Sequence, residues 1–165
     1  MKVFGIVGWK NSGKTTLTER LISNICERGY SVSTIKHAHH SFEVDQEGKD
    51  SFRHRVSGAR QVLVSSRNRW ALISELREET EPDLSALIST LSEVDLVLIE
   101  GYKNENHPKI EVHRDEINGP LLAESDKTII AIASDSKSLK ATTPVTNLND
   151  IDSIARLILE RVDLL

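Results

Sequence analysis

At 165 residues, with 21 Lys and Arg against 25 Asp and Glu, the chain has a net charge of −4 and enough length to bury a core without disulfides or metal. That balance excludes a protein that neutralises nucleic-acid phosphates along its surface. The lone cysteine, Cys26, excludes an internal disulfide and any zinc site needing two cysteines of one chain. No apolar run approaches the roughly 20 residues that span a bilayer, and the N-terminus meets glycine and polar residues too early for a secretory signal. A soluble cytoplasmic protein of one domain, residues 1–165, with no nucleic-acid or membrane partner, is the expectation.

In chain order, Val3 to Val7 is an apolar run bounded by glycine, as a buried strand should be. Leu17, Leu21, Ile22 and Ile25 fall at helical spacing within Thr15 to Glu27, and Gly29 supplies the stop. Val32 to Lys36 reads as a second strand, followed by a polar stretch from His37 to about Asp50 that is too long for a simple connection. Gln61 to Ser65 and Trp70 to Ser74 flank a turn and read as a hairpin. Leu84, Leu87, Ile88 and Leu91 form one helical stripe within Asp83 to Leu91. Leu96 to Ile99 is a continuous apolar strand ending at Glu100-Gly101. Lys109 to His113 alternates and reads as an outer strand. Thr128 to Ala133 is the next buried run and Val145 to Asn147 a short last one. Ile151, Ile154, Ala155, Ile158 and Val162 make the core face of a closing helix. Strands apolar on both faces and interleaved with helices predict a mostly parallel α/β sheet with a β-hairpin extension.

Gly8-Trp9-Lys10-Asn11-Ser12-Gly13-Lys14-Thr15 fits G-x-x-x-x-G-K-[ST], the phosphate-binding loop. It follows a predicted strand and opens a predicted helix, the setting in which backbone N–H groups converge on an anion. Lys14 is expected to reach the β- and γ-phosphates and the Thr15 hydroxyl to ligand Mg²⁺. The competing reading, a Gly-rich turn with a chance Lys-Thr, accounts for neither spacing nor context. An acidic partner for magnesium belongs at the carboxyl end of a neighbouring strand. Asp95 and Glu100 flank the apolar run, roughly 16 Å apart at about 3.3 Å per residue, and only Glu100 lies at that end.

The loop Lys36-His37-Ala38-His39-His40, with Asp45 beyond it, admits three readings. It is a transition-metal site using His37, His39 or His40 and Asp45; or a switch in which Asp45 reaches the magnesium or positions water; or a solvated loop. Arg53 and Arg55 read as helix-surface charges. Asp135 follows the strand 128–133 at the phosphate-loop end, where its carboxylate could accept both N1 and N2 protons of guanine. A turn-forming role is equally consistent with its position.

These residues resemble the MobB family, adaptor proteins of molybdopterin guanine dinucleotide biosynthesis. The resemblance rests on Gly8 to Thr16, Ile35 to His40, Asp45 with Gly48-Lys49-Asp50-Ser51, Ser57-Gly58-Ala59, Asp95 to Lys103, Pro108 to Arg114 and Ala133-Ser134-Asp135. It implies a dimeric P-loop protein that binds GTP with Mg²⁺, hydrolyses it weakly, and assists the molybdenum cofactor guanylyltransferase that joins GMP to molybdopterin. On this reading Gly8, Trp9, Lys10, Asn11, Ser12, Gly13, Lys14, Thr15 and Thr16 hold the nucleotide, with Asp135 at the base and His37, His39 and His40 contributing from the loop. Thr15, Glu100 and Asp45 serve the metal, and Asp45 and Lys14 any hydrolysis. A metallochaperone GTPase using the 37–40 loop is the main alternative. A small-molecule kinase is another, though no late Arg cluster supplies the basic lid a kinase needs.

Overall fold

β1 (Lys2–Val7) is the strand on which the fold is organised, and Phe4, Ile6 and Val7 on it are fully buried. In this computed structural model, which describes residues 1–38, 42–117 and 119–165, it lies between β5 (Leu96–Glu100) and β6 (Lys109–His113). The six-stranded sheet adds β2 (Val32–Lys36), β7 (Ile129–Ser134) and β8 (Val145–Asn147) in the order β2-β5-β1-β6-β7-β8, every neighbouring pair parallel. The expected parallel α/β sheet is therefore present.

α1 (Lys14–Glu27) buries Leu17, Leu21 and Ile25; α4 (Ile151–Arg161) buries Ile154, Ala155, Ile158 and Leu159. Both stripes join the cluster that contains Phe4, Ile6, Leu98 and Ile110. Each such side chain contributes about 1.5–3 kcal/mol of transfer free energy. Asp150 caps α4 by accepting from the Ser153 N–H at 3.1 Å. Asp152 then ties α4 to α1, accepting from Asn24 and Arg28, each at 2.9 Å.

One expectation needs correcting. Lys109 to His113 is not an outer strand: β6 is interior to the sheet, and Lys109 and Glu111 are completely buried. The polar residues of its alternation face protein partners, not water. The Lys109 ammonium donates to Glu105 O, to Thr128 Oγ1 and to Asp126 at 3.2 Å. The Glu111 carboxylate accepts from the Leu122 and Ala123 N–H groups at 3.0 and 2.9 Å, at the start of a short 3-10 turn, Leu122–Glu124.

Beside this cluster His107 covers Gly5, where an added Cβ would lie 2.5 Å from the ring Nε2. That nitrogen is buried without a hydrogen-bond partner among the described residues. Burial, reinforced by the Lys109 charge, pushes the imidazole down from 6.5 to about 4, against the opposing pull of Asp126. Between pH 6.5 and 4 the unfolded chain binds a proton that the folded chain refuses. Stability is therefore full above pH 6.5 and falls as pH drops towards 4. The expected loss is on the order of 2 kcal/mol, discounted because part of the ring is solvated. Urea titrations at pH 7 and 4.5 should show it, and His107→Phe should flatten that difference; an equal pH slope in both proteins would refute the assignment.

The chain divides into two compact units: Met1–His37 with Leu87–Leu165, and Ala38–Ala86. The second contains α2 (Asp50–Val56) and the antiparallel hairpin of β3 (Gln61–Ser65) and β4 (Trp70–Ser74), of which the hairpin is the one the sequence pattern predicts. Leu63, Leu72 and Trp70 share one face of that hairpin, and all are exposed. α3 (Leu84–Ser89) begins after Asp83, which accepts from the Ala86 N–H at 2.7 Å.

Candidate functional site

The loop between β1 and α1 turns on two glycines. Gly8 has φ +149° and Gly13 φ +94°, and a Cβ on Gly8 would meet the Val112 carbonyl oxygen at 2.5 Å. Gly13 begins α1 without any side-chain cap, so the first N–H groups of the helix stay available to an anion. The Ser12 hydroxyl is buried within the loop and has no hydrogen-bond partner among the described residues. An orphaned donor and a cradle that excludes a methyl group both fit a bound phosphate.

Lys14 folds back over this loop, donating to Gly8 O at 3.1 Å and Trp9 O at 2.7 Å. Burial lowers its pKa; Glu100 opposes the shift, while Lys103 and Lys36 add to it. Thr15, one residue on, donates its hydroxyl to Glu100 at 3.1 Å from Oε1 and 3.2 Å from Oε2. Parallel pairing of β1 with β5 sets Ile6 opposite Glu100 and so brings the carboxylate to the loop. The structure thus joins Thr15 and Glu100, a hydroxyl and a carboxylate that would suit a hard cation such as Mg²⁺. Asp95 lies at the other end of β5. It accepts from the Ser31 hydroxyl at 2.6 Å and the Ser31 N–H at 2.8 Å, and these bonds hold its carboxyl below the usual range.

Two further residues shape the loop. The Trp9 indole N–H donates to Pro120 O at 2.8 Å, and the Lys103 ammonium sits 4.4 Å from the ring centre. Arg114, which sequence reasoning did not single out as a site residue, follows β6 directly. Its guanidinium donates to Ser12 O at 3.3 Å and pairs with Asp135 at 3.4 Å. Asp135 also accepts from the Asp115 N–H at 3.0 Å. Asp135 lines a cavity of about 400 Å³ with Lys137, Asn147 and Asn149. The signal available in the sequence for Arg114 was its place at the carboxyl end of a parallel strand.

The other expected site residues are more scattered. Lys10, Asn11 and Thr16 lie exposed on the loop and first turn, with Asn11 at φ +65°. His37 lies against Tyr102, ring centres 4.7 Å apart, and its N–H donates to Glu100 O at 3.0 Å. Asp45 belongs to the second unit, where both its oxygens are held by Arg55 at 2.9 and 3.2 Å. Arg55 also reaches Glu75 at 3.3 Å, so it is not the surface charge expected: its side chain is 17% exposed. The Asp45 side chain is 5% exposed and its charge is offset by Arg55. His39 and His40 lie outside the described residues. Among the described residues, no group of three or more His, Cys, Asp or Glu could hold a metal ion.

Fold and loop together define a P-loop protein of the parallel α/β class. Residues 3–135 match the family described as molybdopterin guanine dinucleotide synthesis protein B. The chain belongs to this family, MobB. It is 39% identical over 161 residues to the molybdopterin-guanine dinucleotide biosynthesis adapter protein of Escherichia coli K12, covering 96% of this chain and 91% of that one. The Haemophilus influenzae adapter protein of the same name is 40% identical over 156 residues, covering 94% and 86%. Among solved structures, Bacillus subtilis MobB superposes with a TM-score of 0.76 at 29% identity over 98% of each chain. A crystal structure of molybdopterin-guanine biosynthesis protein B gives 0.74 at 28% identity, over 96% of this chain and 98% of that one.

Proposed function

We propose that the protein is a Mg-GTP-binding adapter that supports attachment of GMP to molybdopterin by the molybdenum cofactor guanylyltransferase. The observation that supports it is the grouping of Lys14, Thr15 and Glu100 around a glycine-lined anion nest, in a chain whose relatives carry the adapter name. Lys14 would neutralise the terminal phosphates and stabilise any charge that develops there on hydrolysis. A pulldown with purified guanylyltransferase tests the proposal. Retention should depend on GTP and magnesium; equal retention without nucleotide, or none at all, would sink it.

The base is read, on this proposal, in the cavity beside Asp135. Each carboxylate oxygen keeps a lone pair beyond its bond to Arg114 or Asp115, enough for the two guanine protons. Asp135→Asn replaces one acceptor by a donor. It should weaken GTP binding about tenfold and improve binding of xanthosine triphosphate, whose C2 carbonyl accepts. Unchanged preference in a competition assay would move base recognition elsewhere.

The cytoplasmic protein works, on the same reading, as a homodimer. Leu63, Leu72 and Trp70, exposed by 61%, 49% and 64%, form an apolar hairpin face of the kind a second copy covers. Trp70→Glu should shift the light-scattering mass towards monomer. A wild type already monomeric at micromolar concentration would exclude the dimer.

A further inference from the structure

Lys36 closes β2, opposite Glu100 in the parallel ladder, so the backbone fixes where its side chain starts. Its ammonium lies 3.3 Å from Glu100 Oε1 and 3.4 Å from Thr15 Oγ1. Those are the two groups to which magnesium is attributed above. An ammonium and a divalent cation cannot both sit there, because their repulsion adds to competition for the same oxygens. We propose that Lys36 is a built-in cation surrogate, which neutralises Glu100 until Mg-nucleotide binds and is then handed to the terminal phosphate.

The side chain suits such an exchange. It is 60% exposed, so leaving Glu100 strands no buried charge. An ammonium on a flexible four-carbon stem can swing without losing directional bonds. Glu100, by contrast, is 12% exposed, and with Lys36 gone and no metal bound it would face the nucleotide with only the Lys14 charge to offset it. The strand holds the Lys36 backbone beside Glu100, so the displaced ammonium stays within a side-chain length of the start of α1, where Lys14 and Thr15 lie. One residue would then keep the acid tolerable without metal and count phosphates with it.

This inference rests on the Thr15–Glu100 magnesium reading, and the experiment separates the two. GTP and GDP affinities are measured by calorimetry across a magnesium titration for wild type, Lys36→Met, Lys36→Arg and Glu100→Gln. Lys36→Met should weaken magnesium-free GTP binding about fivefold and lower the magnesium midpoint by a similar factor. With magnesium saturating, it should cut the preference for GTP over GDP about tenfold, and Lys36→Arg should restore much of that preference. Folding is monitored by circular dichroism, and GDP affinity in saturating magnesium should stay near wild type, which a collapsed site would not allow. If Glu100→Gln keeps the full magnesium increment, the metal reading falls and the exchange with it. If Glu100→Gln loses the increment but Lys36→Met leaves the midpoint or the GTP preference unchanged, the exchange alone is overturned.

Discussion

Lys14→Ala should weaken GTP binding by about 2–3 kcal/mol, the scale of charge-assisted hydrogen bonds to phosphate. The ammonium already reaches across the loop to Gly8 O and Trp9 O, so a short swing brings it onto an anion seated in the nest. Burial destabilises its charge, and a bound triphosphate relieves that cost, which makes the contact stronger than a surface pair of the same length. The variant should fold normally, because among the described residues Lys14 donates only to two carbonyls at the mouth of the site. Calorimetry that returns an unchanged dissociation constant would remove the phosphate assignment.

The second large effect is on stability. Lys109→Ala should cost about 3–4 kcal/mol in urea unfolding, since it removes a fully buried cation and leaves Asp126 and the Glu105 carbonyl without it. Lys109→Met keeps the packed stem and should cost less, because the methylene chain fills the same volume. Asp126, with a side chain 27% exposed, can partly rehydrate, which holds the loss below that of a sealed ion pair. A loss under about 1 kcal/mol for Lys109→Ala would show that the network contributes little.

The same strand explains where the sequence misleads. Lys-Ile-Glu-Val-His alternates as a half-solvated strand does, yet β6 pairs on both sides and its Lys and Glu side chains are satisfied internally. Periodicity reports polarity, and polarity implies exposure only when no protein partner is at hand. The phosphate loop was legible because its chemistry is contiguous, running from Gly8 to Thr15 on one turn. Glu100 was legible because strand polarity alone decides between it and Asp95. Arg114 was not, since its partners are Ser12, 102 residues earlier, and Asp135, 21 residues later. The Arg55–Asp45–Glu75 grouping was hidden for the same reason: it forms between a helix and two loop carboxylates with no spacing rule to reveal it.

Strand order also sets a timetable for synthesis. β1 and its phosphate loop leave the ribosome well before both neighbours of β1, which lie beyond residue 95 in the chain. At about 5–20 residues per second, the loop waits roughly 5–20 seconds before either flank exists. Residues 38–86, whose hairpin pairs locally, emerge during that interval and can fold while the first strand is still unpaired. The nascent chain must therefore keep a run as apolar as Val3 to Val7 from misassociating until β5 arrives. Nucleotide cannot assist that wait, because Glu100 and the Val112 wall of the cradle are among the later parts to appear.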